Sequence, residues 1–498
     1  MRPSRLSILI LAAACGVPAS RQAPTPAGVI PRVGTRALRR ALDSVVNAPE
    51  FSNANWGVLV VTAAGDTLYS HNAGKLFMPA SNQKLITSSV ALTQLGPDYR
   101  YRTSFVAHGV IVGGVLDGDL SVIGRGDPSM SDHMRKDAML VMRDVADSLS
   151  AKGIRRIRGT LVAEGNAFPD PVLGFGWSWD DLESEYSAAT DELLFNEGFT
   201  DVIVRGGRAV GDTARVETHP TRSWPRLHIA VMTVAPVRAP FDSMSRAAHP
   251  AITMRKDTVT GDVMIGGTIA VGDSVADVIT HRDPDAAFNA AFREALTDKG
   301  ITIGDEAMPA VAHGDTLVVL VSPPLSEILP ALLKPSQNQI GEMLFKTLGL
   351  ERGTAGTAAA GRRVVEAQLK GWGARDDGYV IRDGSGLSRY DYLSPETIVQ
   401  VLDAMRRSPY FGTFYSALPI AGVDGTIRGR MRGTPAENNV RAKTGSVAQA
   451  RSLSGYVRGL DGDTLMFSIL ANNWTVPGGH VTAAADSIAA RLASYRHR

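Results

Sequence analysis

Cysteine, an excess of charge of one sign and long apolar segments are scarce in this sequence. Cys15 is the single cysteine in 498 residues, which excludes an internal disulfide framework and a metal site built from cysteines. The 52 basic and 50 acidic residues leave a formal charge of +2, so no overall field would hold nucleic acid or an anionic membrane. After residue 14, no segment reaches the roughly 18 to 20 consecutive apolar residues of a membrane-spanning helix. Neither a nucleic-acid-binding protein nor a membrane-spanning protein is therefore expected.

The first residues have the composition of an export signal. Two arginines precede an apolar run over residues 6–14, and a stretch rich in Pro, Ala and Ser continues to about residue 28. Cys15 follows Leu-Ala-Ala-Ala, which is similar to a bacterial lipoprotein cleavage box, although Ala12 stands where leucine is usual. A lipid anchor on Cys15 and ordinary signal-peptidase cleavage nearby are the two alternatives. We expect residues 1–28 to be a signal and linker, and the protein to be exported to the periplasm or cell surface.

The pattern of apolar residues separates a middle segment from two ends. Residues 29–98 and 319–498 mix helical periodicity with strand-like apolar runs. Residues 99–318 instead show short apolar runs separated by Gly/Asp turns, which is typical of β-rich structure. These patterns predict an α/β (α+β) domain, formed by both ends of the chain, that a long β-rich insertion interrupts.

Ser81-Asn82-Gln83-Lys84 is the first motif that suggests chemistry. It stands at the start of a helix predicted over Ser81 to Leu95, and residues three apart share one helix face, so the Lys84 amine would reach the Ser81 hydroxyl. A lysine acts as a base only if its pKa falls from about 10.4 toward 7, which burial and a neighbouring cation would cause. Taken by itself, the motif favours the alternative that Ser81 is a helix cap and Lys84 a solvated residue of the first turn.

Lys443-Thr444-Gly445-Ser446 is a second motif, in a strand-like run. Strand alternation places Lys443 and Gly445 on one face, where the glycine would let a substrate backbone approach. Lys443 would bind a substrate carboxylate and supply the cation near Lys84, and the Ser446 and Ser81 N–H groups would stabilise an oxyanion. An exposed edge strand with a basic residue is the alternative, although the chain has only ten lysines.

Ser336-Gln337-Asn338 is the third motif and follows Lys334-Pro335 at a helix junction. In an active site, Ser336 would pass a proton to a leaving amine, and Asn338 would hold Lys84 and a substrate amide. The same Ser-x-Asn spacing also occurs at Ser70-His71-Asn72, so the pattern arises easily by chance. Turn and cap residues are the alternative interpretation.

In this order, the three motifs resemble those of the penicillin-binding proteins and serine β-lactamases. The chain is most similar to the low-molecular-mass class C penicillin-binding proteins, the D-alanyl-D-alanine carboxypeptidase and endopeptidase family. Five further stretches carry this closer resemblance: Gly124-Arg125-Gly126-Asp127-Pro128, Phe195-Asn196-Glu197, Ser322-Pro323-Pro324-Leu325, Asp383-Gly384-Ser385-Gly386-Leu387-Ser388-Arg389 and Asp424-Gly425-Thr426.

The resemblance implies a central antiparallel sheet flanked by helices, with one or two extra domains inserted between the first two motifs and the inner one at roughly 126–204. It implies that Ser81 is acylated and that Lys84 accepts its proton. The other implied site residues are a second proton-handling pair and a substrate-binding strand that holds the carboxylate: Ser336 and Asn338, and Lys443, Thr444, Gly445 and Ser446. Two departures, Gln337 for the commoner Asp and Gly341 for the usual Ala, bear on substrate preference.

The implied activity is hydrolysis of D-Ala-D-Ala bonds in peptidoglycan stem peptides, as a carboxypeptidase, a cross-link endopeptidase or both. β-Lactam antibiotics would be covalent inhibitors, and no metal or cofactor is implied. A β-lactamase and a catalytically silent cell-wall-binding homologue are the alternatives. A zinc peptidase and a Ser-His-Asp hydrolase are disfavoured, because His-Glu-x-x-His and Gly-x-Ser-x-Gly do not occur. Residues 383–386 only superficially resemble the latter motif and are interpreted as a glycine-rich turn flanking the cleft.

Overall fold

The structure is a computed structural model that describes residues 34–236, 252–257, 260–309 and 314–496. The predicted signal and the Cys15 anchor lie outside these residues. The described α-helices are α1 Thr35–Val46, α2 Gln83–Leu95, α3 Asp132–Arg135, α4 Met139–Ala151, α5 Pro284–Asp298, α6 Leu325–Leu333, α7 Asn338–Arg352, α8 Ala358–Gly371, α9 Pro395–Arg407, α10 Phe411–Ala417 and α11 Gly478–Ala493. The described strands are β1 Asn55–Thr62, β2 Thr67–His71, β3 Arg102–Val112, β4 Val115–Ile123, β5 Arg156–Ile157, β6 Leu161–Glu164, β7 Phe199–Arg205, β8 Arg215–His219, β9 Leu227–Val234, β10 Thr253–Lys256, β11 Val263–Ala270, β12 Ser274–Thr280, β13 Thr302–Ile303, β14 Asp315–Val321, β15 Tyr379–Val380, β16 Tyr392–Leu393, β17 Arg441–Val447, β18 Ala450–Arg458 and β19 Thr464–Asn472.

A five-stranded antiparallel sheet joins the two ends of the chain, in the order β17-β18-β19-β1-β2. Alternate residues of β1 face opposite layers: Leu59 packs with α2, α6, α7 and α9, whereas Val58 and Val60 pack with α1 and α11. Because helices cover both faces, β1 is a continuous apolar run rather than an alternating one. The expected central antiparallel sheet flanked by helices is confirmed.

Helix α2 lies at the centre of the helical layer, with every residue from Gln83 to Leu92 buried. The helix predicted from Ser81 starts slightly later, because residues Ala80–Asn82 form a 3-10 turn before α2. It ends at Gly96, whose φ of +84° is accessible mainly to glycine. Neither of these two helical segments has a side-chain hydrogen bond at its N-cap. Ser81 is therefore not a helix cap, and Lys84 is fully buried rather than solvated. Both parts of the alternative interpretation are wrong.

The middle segment forms one outer sheet and two inner sheets, and the inner strands lie between the outer ones in the sequence. The outer sheet has six strands, with β13-β5-β4-β3-β14 in order and β6 beside β4, and it packs against α4 and α5. The inner strands, β7 to β12, form two three-stranded sheets around their own small core. They span residues 199–280, whereas the sequence suggested an inner unit at roughly 126–204. The β-rich interpretation also omitted α4 and α5.

The described helices include none that is both long and apolar enough to cross a membrane.

Candidate active site

Ser81 lies in the 3-10 turn at the start of α2, where the five-stranded sheet meets the helical layer. The turn is held from the sheet side, because Asn82 Nδ2 donates to the Lys443 carbonyl at 2.9 Å and Ser452 Oγ donates to the Pro79 carbonyl at 2.7 Å. Ala80 takes a φ of +47°, which non-glycine residues rarely adopt. The surrounding contacts therefore define the position of the Ser81 hydroxyl.

Two glycines let neighbouring segments approach this turn. A Cβ on Gly445 would lie 2.6 Å from the Pro79 carbonyl oxygen and 2.9 Å from the Ser81 nitrogen. A Cβ on Gly386, whose φ is +83°, would overlap the Ala80 carbonyl. The sequence suggested that Gly445 admits a substrate backbone, but in the structure it admits the protein's own serine turn.

Lys84 reaches Ser81 from a fully buried position. Its Nζ lies 2.9 Å from Ser81 Oγ, 2.5 Å from Asn338 Oδ1 and 2.8 Å from the Ser385 carbonyl oxygen. Burial disfavours the ammonium form and lowers the pKa of Lys84 to about 7, although the negative charges of Asp383 and Glu342 act in the opposite direction. A substantial fraction of this amine is therefore neutral near pH 7.

Lys443 brings the second and third motifs together. Its Nζ donates to Ser336 Oγ at 2.7 Å and to the Thr444 carbonyl at 2.7 Å, and its side chain is fully buried. Burial, and then the charge of Lys84, lower the pKa of Lys443 well below its usual range. Burial is thus the main cause of the expected fall in the Lys84 pKa. The repulsion between the two amines lowers the pKa of Lys443 instead.

Asn338 is the first residue of α7, and its side-chain amide connects two parts of the chain. Its Oδ1 accepts from Lys84, and its Nδ2 donates to the Tyr186 carbonyl at 2.7 Å. Gln337 Oε1 caps the helix by accepting from the Gln339 N–H at 2.8 Å. Ser336, just before the cap, has a φ of +71°. This sharp turn lets two residues of one motif contact different lysines.

The site opens into a cavity of about 270 Å³. Six of the eight residues predicted from the sequence line it: Ser81, Ser336, Asn338, Thr444, Gly445 and Ser446. The other two, Lys84 and Lys443, are buried and contact the lining hydroxyls of Ser81 and Ser336. The structure thus brings all eight together. The residues it describes contain no group of three or more His, Cys, Asp or Glu side chains placed to bind a metal.

Sequence reasoning missed several residues that support the site. Thr426 Oγ1 accepts from Thr444 Oγ1 at 2.7 Å, and the Tyr186 carbonyl accepts from Asn338. The turn at residues 383–386 does more than flank the cleft, because its Ser385 carbonyl accepts from Lys84. Thr426 and this turn lie in stretches that carry the family resemblance, which was the available signal. Tyr186 had no comparable signal in the sequence.

The chain is similar in sequence and in structure to known proteins. The D-Ala-D-Ala carboxypeptidase 3 (S13) family model matches residues 38–495. A D-alanyl-D-alanine carboxypeptidase of Actinomadura sp. (strain R39) is 36% identical over 92% of this chain and 85% of that protein. The D-alanyl-D-alanine carboxypeptidase DacB of Haemophilus influenzae is 24% identical over 87% of this chain and 88% of its own length. The crystal structure of penicillin binding protein 4 (dacB) from Haemophilus influenzae has the same fold, with a TM-score of 0.74 at 23% identity over 92% of this chain and 98% of that one.

Proposed function

Because the chain belongs to the D-Ala-D-Ala carboxypeptidase 3 (S13) family, it is a serine-type D,D-peptidase, and we propose that Ser81 is the residue its substrate acylates. The substrate class is the D-alanyl-D-alanine end of peptidoglycan stem peptides. One observation carries the assignment of Ser81: its hydroxyl lies 2.9 Å from a completely buried amine, Lys84, whose pKa is lowered to about 7.

Lys84 acts as the base in its neutral form. A neutral amine has two N–H bonds and one lone pair, and the Asn338 Oδ1 and Ser385 carbonyl oxygens accept the two N–H bonds. The lone pair then faces the Ser81 hydroxyl and removes its proton while Oγ attacks the carbonyl carbon of the D-Ala-D-Ala bond. The N–H groups of Ser81 and Ser446, both in the cavity wall, stabilise the oxyanion.

Ser336 and Asn338 handle the proton in the second half of acylation. Ser336 Oγ, 2.7 Å from Lys443 Nζ, gives its proton to the departing nitrogen as the C–N bond breaks, and the proton that Lys84 took from Ser81 then passes to Ser336. The net change is the transfer of one proton from the Ser81 hydroxyl to the amine of the released D-Ala. Lys443 and Thr444 bind the carboxylate of that D-Ala, and water later hydrolyses the acyl ester on Ser81.

β-Lactams are covalent inhibitors in this scheme, because their strained amide presents a carbonyl to Ser81 in the place of the D-Ala-D-Ala bond. Penicillin binding protein 4 from Haemophilus influenzae has been solved in complex with a β-lactam.

We also assign export to this chain, with either cleavage near Cys15 or a lipid on it. Residues 29–98 and 319–498 form its catalytic domain, and residues 99–318 form the insertion.

The decisive experiment incubates the protein with fluorescent penicillin and, separately, with a pentapeptide ending in D-Ala-D-Ala. We expect the wild type to be labelled and to release D-Ala, and Ser81→Ala to do neither. Ser70→Ala is the matched control, since Ser70 is exposed and belongs to the chance Ser-x-Asn sequence.

Three results would contradict the proposal. Labelling of Ser81→Ala would place the nucleophile elsewhere. Rapid turnover of penicillin would indicate a β-lactamase, and a wild type inert to both reagents would indicate a silent homologue.

A further inference from the structure

A buried turn at residues 383–386 lies against Lys84. Its Ser385 carbonyl is one of the two acceptors that occupy the N–H bonds of a neutral Lys84. Ser385 itself is fully buried, and the neighbouring Gly386 packs against the serine turn, where no side chain would fit. The direction of the Ser385–Gly386 peptide, which bears this carbonyl, therefore decides what the Lys84 amine offers to Ser81.

Glu342, on α7, holds the peptide that precedes it, between Gly384 and Ser385. Its Oε1 accepts the Ser385 N–H at 2.8 Å and the Gly384 N–H at 3.2 Å, and its side chain is only 3% exposed. Glu342 lies four residues after Asn338, on the same face of the helix. One face of α7 thus carries Asn338, which accepts one N–H of Lys84, and Glu342, which holds the backbone of Ser385. The Ser385 carbonyl accepts the other N–H.

Two more groups restrain the turn. Thr87 Oγ1, on α2 three residues after Lys84, donates to the Gly384 carbonyl at 2.7 Å. The Asp383 carboxylate accepts the Gly386 and Ser388 N–H groups, each at 2.7 Å. The peptide between Gly384 and Ser385 is consequently held at its N–H by α7 and at its carbonyl by α2. The next peptide, whose Ser385 carbonyl accepts from Lys84, is held at the Gly386 N–H by Asp383.

We propose that Glu342 is a positioning residue for catalysis, which fixes the backbone of Ser385 at its N–H so that the Ser385 carbonyl takes one N–H of Lys84 and the amine lone pair points at Ser81. This proposal rests on the assignment of Lys84 as the base. If the carbonyl turned away, the freed N–H would donate to Ser81 Oγ, and the amine would then oppose removal of the serine proton.

The ionisation of Glu342 is compatible with this role. Burial, and then the charge of Asp383, raise the pKa of its carboxyl. A protonated carboxyl keeps a carbonyl oxygen that accepts N–H bonds, so the positioning requires an acceptor and not a charge. Glutamine has the same shape and the same acceptor, whereas leucine has a similar volume and none.

The test measures the acylation rate constant and the dissociation constant of fluorescent penicillin by stopped flow. We expect Glu342→Leu to lower the rate constant by about 10- to 100-fold because the base is misoriented, with less than about a threefold change in the dissociation constant. Glu342→Gln should restore the rate constant to within about threefold of wild type. If Glu342 had only a structural role, Glu342→Leu would not lower the rate constant while leaving the dissociation constant nearly unchanged, and Glu342→Gln would not restore the rate constant.

Thr87→Val provides the same test from α2, in case Glu342→Leu does not fold. It removes the hydroxyl that donates to Gly384, and it too should slow acylation without weakening binding. Thr93→Val is its matched control, since Thr93 Oγ1 on the same helix donates only within α2, to the Ser89 carbonyl at 2.8 Å, apart from a long contact with the Met405 sulfur.

Wild-type acylation rates in both Glu342→Leu and Thr87→Val would overturn the proposal, as would equally slow leucine and glutamine variants. Failure of the underlying function would look different, because the wild type would then not be acylated or Ser81→Ala would be.

Discussion

Lys84 and Lys443 are both completely buried, and the hydrogen bonds that the described residues give their amines go to hydroxyl, amide and carbonyl oxygens rather than to carboxylates. Removing an ammonium group from water without a counter-charge is costly by several kcal/mol, so burial shifts each lysine toward its neutral form. Lys84 is offered oxygens that accept its N–H bonds, and a hydroxyl that can either donate or accept. At the scale of the residue, desolvation creates the base and local acceptors orient it.

The pH dependence of acylation tests this view of Lys84. Because the pKa of Lys84 is lowered to about 7, the neutral base accumulates as pH rises through that value. The acylation rate constant of the wild type with penicillin should therefore increase from pH 5.5 to 8.5, with its half-maximal value near pH 7. Lys84→Arg, which stays charged throughout, should be acylated too slowly to measure.

A rate constant that is flat over this range, or that rises only near the usual lysine pKa of about 10.4, would contradict the assignment of Lys84 as the base.

At the scale of the element, strand β17 and the serine turn form one unit. Gly445 has no side chain to separate them, and Asn82 supplies a hydrogen bond across the contact. Ser452, on the neighbouring strand β18, holds the turn with a second hydrogen bond. The absence of a side chain at Gly445 thus has two consequences. Strand β17 is close enough to place Lys443 near Ser336, and the turn that carries Ser81 is held against the strand.

Gly445→Ala should misplace the nucleophile while leaving the fold intact. The new methyl group would lie 2.6 Å from the Pro79 carbonyl oxygen and would push the turn from the strand, at a cost of about 1–3 kcal/mol in stability. We expect acylation by penicillin to fall by about 100-fold. Gly412→Ala in α10 is the control, since a Cβ there meets nothing within 4 Å. Acylation of Gly445→Ala at the wild-type rate would show that the turn does not depend on this contact.

The element predictions succeeded where local pattern is sufficient and failed where it is not. Strand β1 is recognisable because helices cover both of its faces, which makes it apolar throughout. The start of α2 was placed at Ser81 because a 3-10 turn and the first turn of an α-helix require similar residues. Helices α4 and α5 were missed because short apolar runs do not reveal whether they pack as strands or beneath a sheet.

At the scale of the whole molecule, the insertion is joined directly to the Ser336 motif. Glu197, which is 6% exposed, accepts from Ser131 Oγ and contacts His133 Nδ1, each at 3.2 Å, and it also accepts a hydrogen bond from Gln337 Nε2. The hydrogen bond from Gln337 to Glu197 gives a physical reason why Gln337 stands where the resemblance led us to expect Asp. An amide donates to Glu197, whereas a carboxylate would repel it.

Removing the Glu197 carboxylate should destabilise the protein in a pH-dependent way. Its hydrogen bond, and then its charge, raise the pKa of His133, so the stabilisation is present at low pH and is lost as pH rises through the raised value. Glu197→Leu should lower the free energy of unfolding by about 1–3 kcal/mol at pH 5.5, and by less at pH 9, in urea titrations.

Glu217→Gln is the control for this prediction, because Glu217 pairs with Arg205 on the surface, and it should change stability by less than about 1 kcal/mol. A loss in Glu197→Leu that is larger at pH 9 than at pH 5.5 would contradict the predicted linkage to His133.

The sequence alone determined what depends on local geometry and on the order of motifs. The three-residue spacing of Ser81 and Lys84 brings hydroxyl and amine together in any helical turn, and the order of the three motifs identified the family. Only the tertiary structure decided the rest. Burial lowers the pKa of Lys84, Ser336 meets Lys443, and Glu342 reaches the Ser385 peptide, because packing brings together segments that are far apart in the chain. Solvent exclusion and contacts between distant segments are properties of the folded chain, which no short stretch of sequence contains.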